Sequence, residues 1–566
     1  MVVGATKMTL QHVPSKGRIS IMKIQNFTVQ KRQSVVRAVY GSLLVVLSIV
    51  SAIVNPVDIF TNWYTDMQEG KFIYKMWENP TYRIFTTIHV FNYTNVPEYL
   101  SGAEKVLRVE EIGPFKFREY RTNENITVDK SRGVMTMRPR VELEFVKEES
   151  LGDMKDIQLM APNVAVLAIS TLLADKLGYF ANAGAFYSMK AIGSTLFRKM
   201  TTEELLWGYH DPIVTVANKL LPGWIDFEKL GIMDRFYSKR TAEAEIELRD
   251  PDKKYSINLW DKVPGLEEQG FTDMNTSVPC NTIKGSFEGI MLPPKINREV
   301  EIPVFRKQAC RVYPFSFYEE VNGEHGFSFN RYRMQESAFN KSSRYACKCK
   351  QSSQCLPDGF IDVGSCYYGF PISISKPHYQ DTDPVQQAYF EGMKPDPEKY
   401  ASRLDVEPTI GVALSFAINI QVNVAVRTNP GNPIANPIKD KVMPILWISL
   451  HCEETPPEVI SLLRLRLVIA PPLVITVEVL LFLIGMFLGI QGFHRIWKPK
   501  YKLIQPEEKP KVRRKSTERR RNSAILTMSD NSAFKDDEDL AKEAVSLLAI
   551  TEEDPELPDL LMNEPC

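Results

Sequence analysis

The chain has 566 residues and equal numbers of basic and acidic side chains, 69 of each. Net charge therefore gives no support to nucleic-acid binding, and the length predicts about two to four domains at roughly 100–200 residues per domain. The uneven distribution of apolar and charged residues along the chain is more informative than the totals.

Two stretches are apolar enough to cross a bilayer, which takes about 20 residues of helix. The first, 38–57, carries no charge between Arg37 and Asp58. The second, 467–490, contains a single charged residue, Glu478. A cleaved signal peptide is the alternative for the first and a buried core helix for the second. The long segment before the first and the basic segment after the second favour two transmembrane helices.

Basic residues flank both spans on their outer sides. Segment 1–37 contains Lys and Arg but neither Asp nor Glu, and segment 491–566 contains the basic clusters 513–515 and 519–521. The positive-inside rule then predicts that both termini are cytoplasmic. Segment 58–466 is accordingly an extracellular or lumenal domain, and 491–566 is a cytoplasmic tail that we expect to be largely disordered.

Six of the eight cysteines cluster within this ectodomain, and an even cluster in an oxidising compartment predicts three disulfides. They are Cys280, Cys310, Cys347, Cys349, Cys355 and Cys366. A zinc site is the alternative, but the spacing is unusual for zinc and no His lies nearby. Cys452 is left over in the same segment, and Cys566 in the tail is expected to be reduced.

Acceptor triplets for N-glycosylation occur four times in the ectodomain, at Asn92, Asn125, Asn275 and Asn340. Such sites mark surface positions of secretory proteins. A fifth triplet, at Asn26, falls on the cytoplasmic side and should not be glycosylated.

The ectodomain changes from strand-like to helix-like patterning and back. Apolar residues alternate with polar ones first, take helical spacing over 160–221, and then return to alternation; the strand-like segments are 82–90, 103–120, 134–145, 242–259, 312–318, 411–426 and 443–449. This order predicts an α+β fold with a helical cap over about 160–235. The apolar helical face is either ordinary core or a lipid-accepting surface.

Several motifs follow one another in a specific order along the ectodomain. They are G-P-F at 113–115, E-L-L-W-G-Y-H-D-P at 204–212, C-R-x-x-P at 310–314, the cysteine block 347–371 with K-P-H-Y at 376–379, E-P-T-x-G at 407–411, Q-V-N at 421–423 and P-I-L-W at 444–447. This set resembles the class B scavenger receptor family, and the resemblance covers nearly the whole chain from the first span to the second.

The resemblance implies a large β-barrel-like ectodomain with a helical-bundle cap and an internal lipid tunnel, anchored by two transmembrane helices. It also implies the pairings Cys280–Cys347, Cys310–Cys366 and Cys349–Cys355. A ligand-contacting Lys of the family's cap corresponds to Lys190; a solvated surface Lys is the alternative.

Catalytic motifs of the common hydrolases, metalloproteases and P-loop enzymes do not occur in the sequence. His210 and His378 lie in family motifs, but no nucleophile accompanies either of them, so a structural role is the simpler interpretation. The sequence predicts a protein that is not an enzyme, with no catalytic residue, cofactor or metal.

Two features concern the spans and the tail. Glu478 needs a polar partner in the bilayer, for which Ser42, Ser48, Ser51 or a second subunit are candidates.

The tail contains signals of the Y-x-x-Φ and acidic dileucine forms, which adaptor proteins could read; a plain tail is the alternative. Their residues are Tyr501 and Ile504, Leu547 and Leu548, and Leu560 and Leu561.

Together these observations predict a plasma-membrane receptor that binds lipids or lipoprotein particles and transfers fatty acid, sterol or carotenoid to the bilayer. Cycling through endosomes or lysosomes and assembly into a homo-oligomer are left open. One alternative is a lysosomal or endosomal sorting receptor for a soluble protein partner. Another is a chemosensory accessory protein that delivers lipophilic ligands.

Overall fold

The computed structural model describes residues 15–497 except 175, 221–222, 224, 238–241, 324 and 346–354, and it describes no side chain for 15–30, 220 and 453. The predicted tail signals at Tyr501, Ile504, Leu547, Leu548, Leu560 and Leu561 lie outside the described residues. Cys347, Cys349 and Cys566 do so as well.

The helices alternate with strands through the ectodomain, and the longest helices lie at its two ends. Their bounds are α1 (Ser15–Val54), α2 (Pro56–Tyr64), α3 (Phe72–Glu78), α4 (Val96–Leu100), α5 (Val164–Ala174), α6 (Tyr179–Ala191), α7 (Thr202–Trp207), α8 (Pro212–Leu220), α9 (Ile232–Phe236), α10 (Pro384–Gln387), α11 (Pro457–Arg464) and α12 (Ala470–Trp497).

The strands fall into two groups on either side of helices α5–α9. They are β1 (Arg83–Tyr93), β2 (Leu107–Asp129), β3 (Val134–Phe145), β4 (Gln158–Pro162), β5 (Phe197–Thr201), β6 (Ala244–Glu247), β7 (Ile257–Trp260), β8 (Ile302–Arg306), β9 (Arg311–Asn322), β10 (Ser328–Met334), β11 (Ile361–Asp362), β12 (Ile372–Ser375), β13 (Phe390–Glu391), β14 (Arg403–Glu407), β15 (Val412–Ala425) and β16 (Val442–Glu454).

One large, mainly antiparallel sheet organises the ectodomain, in the order β7-β6-β3-β2-β1-β16-β15-β14-β10-β9-β8. Its centre is β1, in which Ile88 pairs with Ile448 of β16 and with Phe115 of β2. The neighbouring β15 is buried along almost its whole length, as its apolar run 411–426 predicts. The predicted α+β class, with strands on both sides of a helical insertion, is confirmed.

The predicted β-barrel-like closure is not what the structure shows, because the sheet path of the described residues ends at β7 and β8 without a ladder between them. Single bridges span this seam: Ser286 pairs with Ile257 of β7, and Phe287 pairs with Val304 of β8. The connecting segment 261–301 contains four prolines, at 264, 279, 293 and 294. Proline has no N–H to donate, so this segment is poorly suited to a continuous strand that would close a barrel.

The sequence left two interpretations of the apolar helical face, ordinary core or a lipid-accepting surface, and helices α5 and α6 differ in which of them fits. Seven of the 11 residues of α5 are buried and the other four are partly buried. In α6, by contrast, Tyr179, Phe180 and Tyr187 are exposed, and Phe180 keeps 87% of its surface. Ordinary core packing therefore accounts for α5, whereas α6 presents large apolar side chains outward.

Two helices are long and apolar enough to cross a membrane: Lys31–Val54, within α1, and Pro457–Trp497, which runs through α11 and α12. A π-helical turn, Leu465–Ile469, joins α11 to α12 just before Pro471 and Pro472. Proline has no N–H, so these two residues cannot donate hydrogen bonds to the carbonyls one turn earlier in the helix. A locally widened turn is therefore expected here.

The two spanning helices pack against each other in opposite directions. Gly41 lies against Gly485 and Gly489, whereas Ala38, earlier in α1, lies against Gly492, later in α12. Small residues at such a crossing allow the two backbones to approach closely.

Glu478 has a partner at this helix pair. The Ser51 hydroxyl donates a hydrogen bond of 2.6 Å to Glu478 Oε1, while Ser48 bonds to the carbonyl of Val45 in its own helix. Of the three predicted serines, the structure therefore selects Ser51.

Candidate ligand cavity

The ectodomain contains a cavity of about 740 Å³. This volume lies in the range of about 300–1,000 Å³ that is usual for small-molecule sites. The residues around it come from the helical segment, the sheet and the elements next to the membrane spans. Among them are Phe72, Ile73, Met76, Trp77, Arg121, Leu143, Trp207, Phe236, Tyr237, Trp260, Glu288, Ile290, Met291, Phe305, Arg306, Val412 and Val459.

Most of the cavity wall is apolar and aromatic. Phe72 and Trp77 belong to α3, which follows α1 and α2 directly, and Val459 belongs to α11, which precedes α12. Trp207 of α7 and Phe236 of α9 lie at the base of the helical insertion. The cavity thus touches the helical insertion and the elements that lead into both spans.

Arg121 and Tyr237 of the wall belong to a polar network centred on Glu119, which is buried and does not itself line the cavity. Glu119 and Arg121 point to the same face of β2, because side chains two apart on a strand share a face. The guanidinium of Arg121 donates to Glu119 Oε2 at 2.7 and 3.0 Å. Thr86 and Tyr237 both donate to Glu119 Oε1, at 2.7 and 2.6 Å.

This network sets the charge of Glu119. Burial by itself would raise the pKa of Glu119, but Arg121 and the hydrogen bonds from Tyr237 and Thr86 outweigh burial and lower that pKa. Burial and the neighbouring Glu119 raise the pKa of the Tyr237 phenol. The carboxylate is therefore ionised and held by donors on both of its oxygens.

Two further charged residues line the cavity, Glu288 and Arg306. Both are partly buried, and among the described residues neither side chain has a hydrogen bond or an ion pair within 4 Å; the Arg306 Nε is buried without a hydrogen-bond partner, and its guanidinium lies 5.8 Å from the centroid of the Phe416 ring. Burial raises the pKa of Glu288, against the opposing effect of Arg121 and Arg306. Burial and the nearby Arg121 lower the pKa of Arg306 to about 10, so its guanidinium is still charged at neutral pH.

The fold explains why Glu288 and Arg306 line the same cavity. Arg306 is the last residue of β8, and Glu288 follows Phe287, the residue that bridges to β8. Both therefore lie at the seam of the sheet. Nothing in the local sequence marks them, because the pairing depends on how the proline-rich segment 261–301 returns to the sheet.

Lys190, the predicted ligand contact, is exposed in the last turn of α6 and does not belong to the cavity lining. The small residues Ala181, Ala183 and Ala185 of α6 are also outside that lining. Any ligand contact by α6 would thus take place on the outer surface.

The cysteine cluster contains a disulfide between Cys310 and Cys366, the pairing that the family resemblance implies. Cys280 is disulfide-bonded as well. Glu268 lies beside the Cys310 and Cys366 sulfurs. These sulfurs are already joined to each other, so this group does not offer the thiolate ligands of a zinc site.

The four glycosylation triplets differ in exposure. Asn125, Asn275 and Asn340 are exposed. Asn92 is only half-exposed within β1, and its side-chain oxygen accepts a hydrogen bond of 2.8 Å from the Met160 N–H. Of the four, the Asn92 side chain is the least available to an enzyme that must reach its amide nitrogen.

Comparison with known proteins shows the family to which this architecture belongs. A family model described as the CD36 family matches residues 39–496, which is most of the chain. The chain belongs to the CD36 family. The predicted resemblance is therefore confirmed over both spans and the whole ectodomain.

Two relatives illustrate the similarity. Human lysosome membrane protein 2 is 28% identical over 438 residues, covering 75% of this chain and 86% of that protein. Rat scavenger receptor class B member 1 is 27% identical over 381 residues, covering 66% of this chain and 71% of that protein.

Proposed function

We propose that this protein is a two-pass membrane receptor, not an enzyme, that binds lipid or lipoprotein cargo and passes lipid through its ectodomain cavity to the bilayer. The observation that carries the proposal is the composition of the cavity wall. It joins the base of the helical insertion to α3 and α11, the elements next to the two spans.

The physical advantage of such a route is continuous apolar contact. Each Å² of apolar surface that a lipid keeps out of water contributes about 25 cal/mol. A chain that moved between Trp207, Phe72 and Val459 would stay among apolar side chains on its way to the membrane. No step would expose the whole hydrocarbon tail to solvent.

The elements at the membrane end fit this role. Helix α2 continues α1 after a break at Asn55–Pro56 and exposes Ile59, Phe60 and Trp63. Apolar and aromatic side chains of this kind settle at the membrane–water interface. In this arrangement α2 lies in the outer interface, and lipid leaving the cavity beside α3 meets the bilayer there.

Bulky residues in the cavity test the proposal. Leu143→Trp and Ile290→Trp should reduce cellular uptake of a labelled lipid several-fold while cell-surface binding of lipoprotein particles changes little. Ala183→Trp on α6, outside the cavity lining, is the matched control and should leave uptake near wild type. If all three variants lower uptake only in parallel with particle binding, docking alone explains the function and the conduit is wrong.

The topology that this function needs has both termini in the cytoplasm. Glycosidase treatment of the full-length protein should reduce its mass, and Asn26→Gln should leave that shift unchanged. Loss of glycan from Asn125→Gln, Asn275→Gln or Asn340→Gln should be detectable individually. A glycan attached at Asn26 would contradict the topology.

A sorting receptor for a soluble partner is the second candidate, and the exposed face of α6 favours it. Phe180 and Tyr187 are large apolar side chains on the surface, and Lys190 lies one turn from Tyr187. Exposed apolar patches of this kind mark interaction sites. One relative in the family is named lysosome membrane protein 2.

Two sets of variants separate the candidates. Phe180→Ala with Tyr187→Ala should abolish co-purification of a soluble partner without changing lipid uptake if the partner docks on α6. Alanine at Tyr501, Leu547, Leu548, Leu560 and Leu561 should move the protein from endosomes to the cell surface if adaptors read the tail. An unchanged distribution with no lost partner would favour the lipid receptor over the sorting receptor.

A further inference from the structure

An ion pair joins the two segments that lead from the cavity wall into the bilayer. The Arg466 guanidinium donates to Asp58 Oδ1, although the two residues are 408 positions apart in the chain. Asp58 lies in the first turn of α2, and Arg466 lies in the π-helical turn between α11 and α12. The Arg466 side chain is 13% exposed and the Asp58 side chain 35%. Separating the pair would leave a partly buried charge without its counter-charge, so the contact resists movement of the two segments apart.

Helix α2 is coupled to α3, which contributes to the cavity wall. The Tyr64 ring, at the end of α2, stacks on the ring of Phe72, the first residue of α3, with centroids 5.4 Å apart. In the short connection between the two helices, Lys71 forms an ion pair of 3.3 Å with Asp66. Because Phe72 lines the cavity, a displacement of α2 also displaces the wall.

The π-helical turn couples Arg466 to the opposite part of the wall. Val459 of α11 lines the cavity, and α11 runs directly into the turn Leu465–Ile469. A π-helical turn is wider than the α-helix on either side of it, and such turns inside helices occur frequently at functional sites. This turn is therefore the place at which α11 can move relative to α12, and Arg466 lies within it.

We infer that the Asp58–Arg466 ion pair is a latch that holds α3 and α11 together at the membrane side of the cavity and limits the rate at which lipid leaves. This inference rests on the proposed passage of lipid through the cavity and adds the contact that regulates its last step. With the latch closed, α2 and the π-helical turn are held together. With the latch open, α11 moves at the π-helical turn and the gap between Phe72 and Val459 widens.

A latch and a purely structural contact predict effects of opposite sign. Loss of a contact that only stabilises the fold leaves lipid delivery unchanged or lowers it. Loss of a latch that limits lipid exit raises the delivery rate of each receptor at the cell surface. The sign of the change therefore distinguishes the two roles.

Charge variants of the full-length protein test the latch. The probe is radiolabelled hexadecyl palmitate, a neutral wax ester, carried in reconstituted lipoprotein particles, and cellular uptake is divided by the amount of receptor at the surface. Asp58→Asn and Arg466→Gln should each raise this rate about threefold, because the ion pair no longer opposes separation of the segments. Exchange of the charges, Asp58→Arg with Arg466→Asp, should return the rate toward wild type.

Arg464 provides the matched control, because it lies two residues from Arg466, is exposed and has no ion pair among the described residues. Arg464→Gln should deliver the probe at the wild-type rate. A second measurement closes the latch covalently in purified protein reconstituted in vesicles. Asp58→Cys with Arg466→Cys should deliver the probe more slowly after bridging by a short bis-maleimide, whereas Asp58→Cys alone should not respond to the reagent.

The outcomes separate the latch from the function on which it rests. An unchanged or reduced rate in both Asp58→Asn and Arg466→Gln overturns the latch while the conduit stands. If these variants do not reach the surface, the bridged protein decides, and equal delivery before and after bridging overturns the latch. Wild-type cells that bind particles but take up no more probe than cells without the receptor overturn the conduit and the latch together.

Discussion

Two clusters of buried and partly buried charge in the ectodomain differ in whether each charge has an opposite partner within ion-pair distance. In the first, Glu111 lies between two imidazoles, with Oε1 2.7 Å from His89 Nδ1 and Oε2 2.7 Å from His378 Nε2. The other nitrogen of His378, Nδ1, accepts from the Lys394 N–H, so Nε2 carries the hydrogen that faces Glu111, although neither imidazole contact has the geometry of a hydrogen bond. His89 also stacks on Trp447 at 4.2 Å.

The second cluster lies at the cavity and is satisfied only in part. Glu119 is held by Arg121, Thr86 and Tyr237, whereas Glu288 and Arg306 are only partly buried and make no hydrogen bond or ion pair among the described residues, and Arg306 lies over the Phe416 ring. The comparison separates two uses of buried charge. In the first cluster the carboxylate lies within ion-pair distance of both imidazoles, and in the second Glu288 and Arg306 face the cavity without an ion pair among the described residues.

The largest expected effect is loss of the Glu111 carboxylate. Burial alone would raise the pKa of Glu111, but the neighbouring imidazoles of His378 and His89 outweigh it and lower that pKa well below its ordinary value. Glu111→Ala removes the carboxylate that lies 2.7 Å from both imidazoles and should cost about 2–3 kcal/mol. Thermal unfolding in detergent measures the loss.

Glu124→Ala is the control for Glu111, because Glu124 is half-exposed and paired with Arg140. A surface ion pair contributes at most about 1 kcal/mol, so this variant should unfold close to wild type. Equal destabilisation by the two variants would mean that the His–Glu–His cluster does not stabilise the sheet as we infer.

The next effect concerns the spanning helices. A Cβ on Gly41 would lie 2.3 Å from the Gly489 nitrogen, so Gly41→Ala should force α1 and α12 apart and cost about 1–3 kcal/mol. A Cβ on Gly489 would meet nothing within 4 Å, which makes Gly489→Ala a matched control. Surface delivery and thermal stability should fall for the first variant alone. If both alanine variants behave alike, the helices do not cross at these glycines.

A smaller effect, of opposite sign, is expected at Glu288. Its pKa is raised by burial, so the folded state favours the protonated form. The wild type therefore loses stability as pH rises above the ordinary Glu value of about 4.5 and through the raised pKa. Glu288→Gln removes this loss and should raise Tm by about 1–2 °C at neutral pH but not at pH 4.

Glu142→Gln serves as the comparison for Glu288, since Glu142 lines the same cavity but is largely exposed. Its Tm should follow wild type at both pH values. A stabilisation by Glu288→Gln that persists unchanged at pH 4 would show that the carboxyl is not the group whose ionisation is unfavourable.

The smallest effect is expected within the bilayer. Ser51→Ala removes the donor to Glu478 and should cost about 0.6 kcal/mol, the usual size of an interhelical hydrogen bond in a membrane. Ser48→Ala removes only a bond within α1 and is the control. In a Glu478→Gln background the Ser51 substitution should change stability by a different amount. Strict additivity of the two substitutions would argue against a direct bond.

The sequence alone was sufficient for the features that depend on local composition. Apolar runs of spanning length predicted the two membrane helices, and the change from alternating to helical spacing predicted strands around a helical insertion. The ordered motifs predicted the family. These predictions succeed because hydrophobic periodicity depends only on neighbouring residues. Tertiary packing buries the apolar faces that this periodicity creates and does not change them.

Only the tertiary structure decided what depends on residues far apart in the chain. The sheet ends at an open seam rather than closing, because segment 261–301 returns to β7 and β8 through single bridges. That return places Glu288 beside Arg306 at the cavity, and the crossing of α1 with α12 brings Ser51 to Glu478. No local sequence pattern predicts these contacts, because each depends on how segments that are distant in the chain pack against each other.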